Sequence, residues 1–214
     1  MGQLVVIEGI DGAGKRTLTR ALTEALTARG AKVGQLAFPR YGEDVHADLV
    51  KDALHGKLGG LIDSVHGMAL LYALDRLGAR DQLVHALDDY DVVLVDRYIA
   101  SNAAYQAARM HQDGSGEMVA WVRAVEVQRF QLPVPDLQLL LRVPLDVAAD
   151  RAAYRESTEA RGRDAFETDS GLQERCAEVY RELAEAQWLS PWRIIDGTAA
   201  IDADRLAADA LGVS

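Results

Sequence analysis

The chain of 214 residues contains a single cysteine, only four lysines and no long apolar run. One cysteine, Cys176, excludes an internal disulfide and a cysteine-built metal site, and it favours a reducing compartment. No apolar run approaches the roughly 18–20 residues that cross a bilayer, and the first residues lack the basic and apolar regions of a secretion signal. These absences predict a cytoplasmic protein without membrane contact.

The chain also lacks excess positive charge. Its formal net charge is −10, so it has no general attraction to the phosphates of DNA or RNA. The 23 basic residues comprise four lysines and nineteen arginines. A small phosphorylated ligand, held by a local cluster of these charges, remains compatible with this composition, whereas a nucleic acid polymer is not expected as a partner.

Short apolar runs alternate with longer helical patterns throughout the chain. The predicted strands lie at 4–7, 33–38, 91–96, 137–143 and 193–195. The predicted helices lie at 15–29, 45–54, 62–87, 100–109, 116–130, 145–154, 170–188 and 201–211. Apolar strands separated by helices are typical of a parallel sheet covered on both faces. We therefore predict one α/β domain over residues 1–214, with a five-stranded parallel sheet flanked by helices and an arginine-rich lid at about 151–167.

A glycine-rich turn follows the first strand and opens the first helix. Four residues separate Gly9 from Gly14, and Lys15 comes next, which is the spacing and the context of a P-loop. In such a loop, backbone N–H groups and the helix N-terminus face a phosphate, and the lysine reaches the β- and γ-phosphates. The motif predicts that the protein binds a nucleoside triphosphate.

The residue after the lysine departs from the usual motif. Arg16 stands where a serine or threonine normally ligates Mg²⁺, and the hydroxyl comes one position later, on Thr17. Either the loop binds nucleotide without turning it over, or the metal lies elsewhere and Arg16 is an additional phosphate clamp. Asp11 and Asp96 are the candidate carboxylates. Asp96 ends an apolar strand in a Walker-B arrangement, where it could also cap the following helix.

Arginine at defined positions suits phosphoryl transfer, which requires two substrates to be positioned and spreading charge to be neutralised. Arg97, beside the strand-end aspartate, is predicted to hold an acceptor phosphate. Further arginines crowd the candidate lid, and one or two of them are expected to contact phosphate: Arg151, Arg155, Arg161 and Arg163.

Aromatic and polar side chains near the same sheet edge are candidates for base recognition. Phe38 precedes a proline turn and could either stack on a base or belong to the core. Ser101, Asn102 and Tyr105 lie about one helical turn apart, so they share a helix face, where an amide could pair with a base edge.

Four segments occur in the order found in thymidylate kinases, and the resemblance covers essentially the whole chain. They are Glu-Gly-Ile-Asp-Gly-Ala-Gly-Lys at 8–15, Phe-Pro-Arg-Tyr-Gly at 38–42, Leu-Asp-Arg at 74–76, and Asp-Arg-Tyr at 96–98 with Ser-Asn-Ala-Ala-Tyr at 101–105. The Gly-Lys-Arg-Thr variant and the Arg-Gly-Arg-Asp stretch at 161–164 look most like the mycobacterial form. The resemblance implies a P-loop nucleoside monophosphate kinase fold and an enzyme that transfers the γ-phosphoryl group of ATP to dTMP, giving dTDP and ADP for dTTP synthesis. The alternatives are another P-loop nucleoside monophosphate kinase and a catalytically silent nucleotide-binding protein.

The resemblance also implies roles for the acceptor residues. Phe38 would stack on thymine, and Arg76 and Asn102 would pair with its edge. Tyr105 would crowd the 2′ position of the sugar. The implied dTMP-binding set is Asp11, Phe38, Tyr41, Arg76, Arg97, Ser101, Asn102 and Tyr105, with Arg97 and Tyr41 on the monophosphate and Asp11 on the 3′-hydroxyl.

The donor and metal residues are implied in the same way. The ATP-binding set is Gly9, Asp11, Gly12, Ala13, Gly14, Lys15, Arg16, Thr17 and Arg155. The catalytic set is Lys15, Asp96, Arg97 and Arg161, with Arg161 as the lid arginine that stabilises the transition state. Mg²⁺ would lie near the acceptor phosphate between Asp11 and Glu167. Phe166 departs from the mycobacterial form, which has a tyrosine there. A homodimer is implied through the longer helices, with small apolar residues between Gly67 and Ala79.

Overall fold

The computed structural model describes residues 1–159 and 165–212, without the side chains of 155–159 and 167. Its strands are β1 (Gln3–Glu8), β2 (Val33–Ala37), β3 (Val92–Asp96), β4 (Leu137–Arg142) and β5 (Trp192–Asp196). They form one sheet in the order β2-β3-β1-β4-β5, and every neighbouring pair is parallel. The predicted α/β class and the five-stranded parallel sheet are confirmed.

Helices connect the strands and cover both faces of the sheet. They are α1 (Lys15–Ala28), α2 (Val45–Leu54), α3 (Val65–Gly78), α4 (Arg80–Asp89), α5 (Ile99–Arg109), α6 (Glu117–Arg123), α7 (Leu145–Glu159), α8 (Ala165–Thr168), α9 (Ser170–Glu185) and α10 (Ala203–Ala210). A 3₁₀ turn, Gly59–Asp63, precedes α3, and a π-helical segment, Ala124–Arg129, follows α6. In α1 the leucines at 18, 22 and 26 are fully buried, which is the stripe expected of a helix packed on a sheet.

Two helix predictions are wrong in their bounds. The expected single helix over 62–87 is divided into α3 and α4, because the glycine at position 78 weakens the helix and Ala79 ends it as a buried cap residue. Helix α7 continues to Glu159 instead of ending at Tyr154. The residues after Tyr154 have no apolar periodicity, but the arginine and glutamates among them favour a helix without it.

The carboxyl ends of three adjacent strands lie at one edge of the sheet. Asp96, the last residue of β3, is in register with Ile7 of β1 on one side and with Ala37 of β2 on the other. The loops that follow β1, β2 and β3 therefore leave the sheet together. In the part of the chain described, no helix has the length and apolar character to cross a membrane.

Candidate active site

A cavity of about 690 Å³ opens at this edge of the sheet. The loops after β1, β2 and β3 line it, which is the crevice where open α/β sheets bind ligands. The residues predicted to bind nucleotide that line it are Asp11, Gly12, Gly14, Lys15, Arg16, Thr17, Phe38, Tyr41, Arg76, Asp96, Arg97, Ser101, Asn102 and Tyr105. Gly9 and Ala13 are buried in the loop itself. The side chains of Arg155 and Glu167, and all of Arg161 and Arg163, lie outside the described residues.

The loop after β1 has the backbone that its glycines permit. Gly9, Gly12 and Gly14 have φ values of 145°, 77° and 101°, which disfavour residues with a side chain. Gly14 caps the N-terminus of α1. A Cβ atom at Gly12 would lie 2.0 Å from the carbonyl oxygen of Ala148, so this glycine also allows α7 to pack against the loop.

Lys15 lies across the loop and is buried. Its Nζ donates hydrogen bonds to the carbonyl oxygens of Gly9 at 3.1 Å and Ile10 at 3.0 Å. Burial, followed by the charge of Arg97, lowers the pKa of Lys15 to about 8, although nearby carboxylates oppose the shift. A bound phosphate would place negative charge beside this buried ammonium group.

Arg97 and Asp11 form an ion pair in the lining of the cavity. Arg97, with φ of 64°, is a non-glycine residue in the left-handed region. Its Nη2 donates to Asp11 Oδ1 at 2.6 Å, and the Tyr105 hydroxyl donates to Asp11 Oδ2 at 2.8 Å. Burial acts to lower the pKa of Arg97, but the charges of Asp11 and of its other acidic neighbours together outweigh it, and the pKa lies well above its usual range. The guanidinium thus stays charged within the cavity.

Asp96 supplies a second carboxylate at the same edge. It does not cap the next helix, because α5 begins at Ile99 with Tyr98 as the cap residue. Asp96 Oδ1 is buried and accepts no hydrogen bond from the residues that the structure describes. Such an atom requires a partner, and a hydrated cation is one that suits a carboxylate oxygen.

The residues predicted to contact a base also line the cavity. Phe38 is buried, with its ring centroid 5.9 Å from that of Tyr98, and it also lines the cavity. The two interpretations of Phe38, core residue and base contact, are therefore compatible. Arg76 and Asn102 are also buried and line the same space.

Glu126 is a candidate that the sequence motifs did not indicate. It is fully buried on the π-helical segment and pairs with Arg76 through Nε at 2.5 Å and Nη2 at 2.8 Å. Its Oε1 also accepts from Asn102 Nδ2 at 2.8 Å. The available signal was an acidic residue inside the apolar helical pattern at 116–130, since a carboxylate is buried only with partners.

Glu8 is a second buried carboxylate without an assigned role. Its oxygens accept bonds from the backbone N–H of Tyr98 at 2.9 Å, from Ser101 Oγ at 2.6 Å and from the Tyr180 hydroxyl at 3.0 Å. The Ser101 hydroxyl thus donates its hydrogen bond to Glu8, and the Ser101 Oγ also lies 3.4 Å from Nη1 of Arg97. Burial raises the pKa of Glu8, while these hydrogen bonds oppose the shift.

Two further contacts join segments that are distant in sequence. Arg40, which follows β2, donates from Nε to Asp75 Oδ1 at 2.8 Å and from its backbone N–H to Oδ2 at 3.0 Å. Arg151 of the candidate lid donates to the carbonyl oxygens of Ala13 at 3.1 Å and Gly197 at 3.2 Å. Arg151 therefore ties α7 to the phosphate-binding loop.

Comparison with known proteins identifies a single family. The thymidylate kinase family model matches residues 7–203. The thymidylate kinase of Mycobacterium tuberculosis H37Rv is 48% identical over 206 residues, covering 96% of this chain and 95% of that protein. Human thymidylate kinase is 31% identical over 94% of this chain and 85% of its own length. Thymidylate kinase of Xanthomonas oryzae is 35% identical over 98% and 81%.

Proposed function

The chain belongs to the thymidylate kinase family, and we propose that Lys15 and Arg97 hold the donor and acceptor phosphates of its reaction in one cavity. The reaction transfers the γ-phosphoryl group of ATP to dTMP, giving dTDP and ADP. The observation that carries the assignment is that one cavity is lined both by the P-loop and by the side chains expected around dTMP.

The donor end is the loop after β1. Its backbone N–H groups and the N-terminus of α1 face a bound triphosphate, and Lys15 leaves the carbonyl oxygens of Gly9 and Ile10 to bind the β- and γ-phosphates. Arg16 and Thr17 are exposed in the first turn of α1 and also line the cavity. Arg16 is therefore our candidate for an additional phosphate clamp.

The acceptor end is the ion pair of Arg97 and Asp11. We propose that Arg97 binds the dTMP phosphate and that Asp11, held by Arg97 and Tyr105, accepts from the 3′-hydroxyl. Phe38 lies against the base, and Tyr105 crowds the 2′ position of the sugar. Tyr41, at the rim of the cavity, completes the phosphate contacts.

In the transfer, an oxygen of the dTMP phosphate bonds to the γ-phosphorus, and the bond from that phosphorus to the β–γ bridging oxygen breaks, releasing ADP. A phosphate monoester is already a competent nucleophile, so no general base is required. The protein contributes position and positive charge. Arg155, Arg161 and Arg163 are proposed as lid residues on the basis of sequence, because the side chain of Arg155 and all of Arg161 and Arg163 lie outside the described part of the structure.

Mg²⁺ is proposed as the metal of this site. Mg²⁺ usually takes one or two carboxylates together with substrate phosphates and keeps several waters. Asp11 and Glu167 are the proposed ligands, and the buried oxygen of Asp96 would hold the metal or its waters. When bound, Mg²⁺ would neutralise charge on the phosphate oxygens.

A homodimer and a cytoplasmic location are also proposed. In α3, Leu70 is 41% exposed, while small residues such as Ala69 and Ala73 are buried within the single chain. The dimer surface would therefore be the outer face of α3. Light scattering should give twice the chain mass, and Leu70→Glu should give the monomer. The location is supported by the single cysteine, Cys176, which is buried as a free thiol.

A bisubstrate ligand tests the central assignment. Adenosine and thymidine joined by five phosphates should bind at least roughly 10²-fold more tightly than ATP alone, because the second site is filled intramolecularly. In calorimetry, Arg97→Met should remove most of this gain, whereas Lys15→Met should weaken the binding of both ligands. Affinity equal to that of ATP alone would show that the two sites do not share the cavity.

A further inference from the structure

A buried carboxylate lies behind the two side chains proposed to read the base. Glu126 is 0% exposed and accepts from Asn102 Nδ2 and from two nitrogens of Arg76. None of these hydrogen bonds involves the phosphate-binding loop. A π-helical turn often marks a functional position, and this one turns Glu126 inward, toward α3 and α5.

These contacts define the orientation of the Asn102 amide. Its Nδ2 donates to the backbone carbonyl of Ala69 at 3.0 Å and to Glu126 Oε1 at 2.8 Å. Both oxygens are acceptors, one as a backbone carbonyl and the other in the ion pair with Arg76, so the reversed amide would place its own oxygen against two acceptors. Asn102 Oδ1 therefore points away from Glu126. It is buried and accepts no hydrogen bond from the residues that the structure covers.

The remaining donors and acceptors select among pyrimidine rings. Thymine and uracil carry an N3–H donor between two carbonyl oxygens, whereas cytosine has an unprotonated N3 beside an amino group. An amide oxygen from Asn102 next to N–H groups from Arg76 matches the first pattern. It does not match cytosine, because the Asn102 oxygen would meet the unprotonated N3 and the N–H groups of Arg76 would meet the amino group.

We propose that Glu126 is the positioning residue that makes this site select a pyrimidine with an N3–H group and reject cytosine. It acts through Asn102, whose amide it holds with the oxygen toward the base, and it orients Arg76 from the same side. This inference rests on the proposed function, since it assumes that the base lies between Arg76 and Asn102.

The substitution Glu126→Gln separates the charge from the shape of this residue. A glutamine has nearly the same size, but its NH₂ group can donate to a reversed Asn102. The carbonyl oxygen of Ala69 still opposes the reversed amide, so the preference of Asn102 for one orientation is weakened and not removed. The variant should therefore bind dTMP less tightly and discriminate less between dTMP and dCMP. A merely structural role for Glu126 would lower all affinities or the stability without changing the preference between bases.

Calorimetry with dTMP and dCMP tests this. The wild-type protein should bind dTMP more tightly than dCMP by roughly 10- to 100-fold. In Glu126→Gln this preference should fall severalfold, with ATP affinity unchanged. The control is Glu117→Gln, the same chemical change at an exposed position of α6, which should keep the wild-type values. Wild-type preferences in Glu126→Gln would overturn the proposal.

A second pair of variants covers the case in which Glu126→Gln does not fold. Arg76→Met with Glu126→Leu replaces the buried ion pair by apolar side chains, an exchange that proteins often tolerate. The double variant should prefer dTMP over dCMP less strongly than Arg76→Met alone, in which Glu126 still holds the Asn102 amide. Equal preferences in the two proteins overturn the role of Glu126. If the wild-type protein itself does not prefer dTMP, the proposed function is contradicted instead.

Discussion

Replacing Arg97 by methionine should remove acceptor binding while leaving the donor site intact. In the proposed complex the guanidinium makes two charge-assisted hydrogen bonds to the dTMP phosphate, and each contributes about 1.5–3 kcal/mol. Their loss should lower kcat/KM for dTMP by roughly 10²- to 10⁴-fold. Arg97→Lys keeps the charge but loses the planar fork, so its loss should be closer to about tenfold.

The assay is ADP release coupled to a spectroscopic readout, with dTMP varied at saturating ATP. ATP affinity, measured separately by calorimetry, should change by less than about threefold in Arg97→Met, because the donor contacts come from the loop after β1. Arg123→Met, at an exposed position of α6, is the matched control and should behave as the wild type. A dTMP KM in Arg97→Met within about threefold of the wild-type value would refute the assignment of the acceptor phosphate.

Three other changes have defined outcomes. Gly12→Ala should abolish ATP binding and lower the melting temperature, because its Cβ would lie 2.0 Å from a carbonyl oxygen of α7. The control is Gly30→Ala, which is also at positive φ but has no heavy atom of the described chain within 4 Å. It should only lower the free energy of unfolding by about 1 kcal/mol. ATP affinity should fall about tenfold between roughly pH 7 and pH 9, since Lys15 has a pKa of about 8 and must take up a proton to bind phosphate above it; calorimetric affinities that do not vary with pH would contradict this. Asp75→Asn should lower the free energy of unfolding in urea by about 3 kcal/mol, because it weakens a buried pair with Arg40, and a change below about 1 kcal/mol would argue against that pair.

The sheet and the phosphate-binding loop were predictable because local patterns determine them. Apolar strands separated by helices require a covered parallel sheet, and Gly9, Gly12 and Gly14 permit positive φ values that other residues avoid. The same local rules failed over 62–87 and after Tyr154. There the position of a helix end depends on a single glycine, or on helix propensity without an apolar stripe.

The partners of the site residues were not predictable from sequence. Glu126 lies 50 positions from Arg76 and 24 from Asn102, and only the packing of the π-helical segment brings the three together. Arg40 and Asp75 belong to two recognised segments, yet nothing in either segment indicates that they pair. Tertiary structure decides which carboxylate faces which cation, whereas spacing along the chain decides only which residues share a helix face or a strand end.

The most direct test of the central claim is the rate of ADP release with each nucleoside monophosphate as acceptor. With ATP and Mg²⁺ in excess, kcat/KM for dTMP should exceed the values for dCMP, AMP and GMP by at least roughly 10²-fold, because only a ring with N3–H and two carbonyl oxygens satisfies both Arg76 and Asn102. A higher kcat/KM for AMP or GMP than for dTMP would contradict the account, and so would tight ATP binding without turnover of any monophosphate.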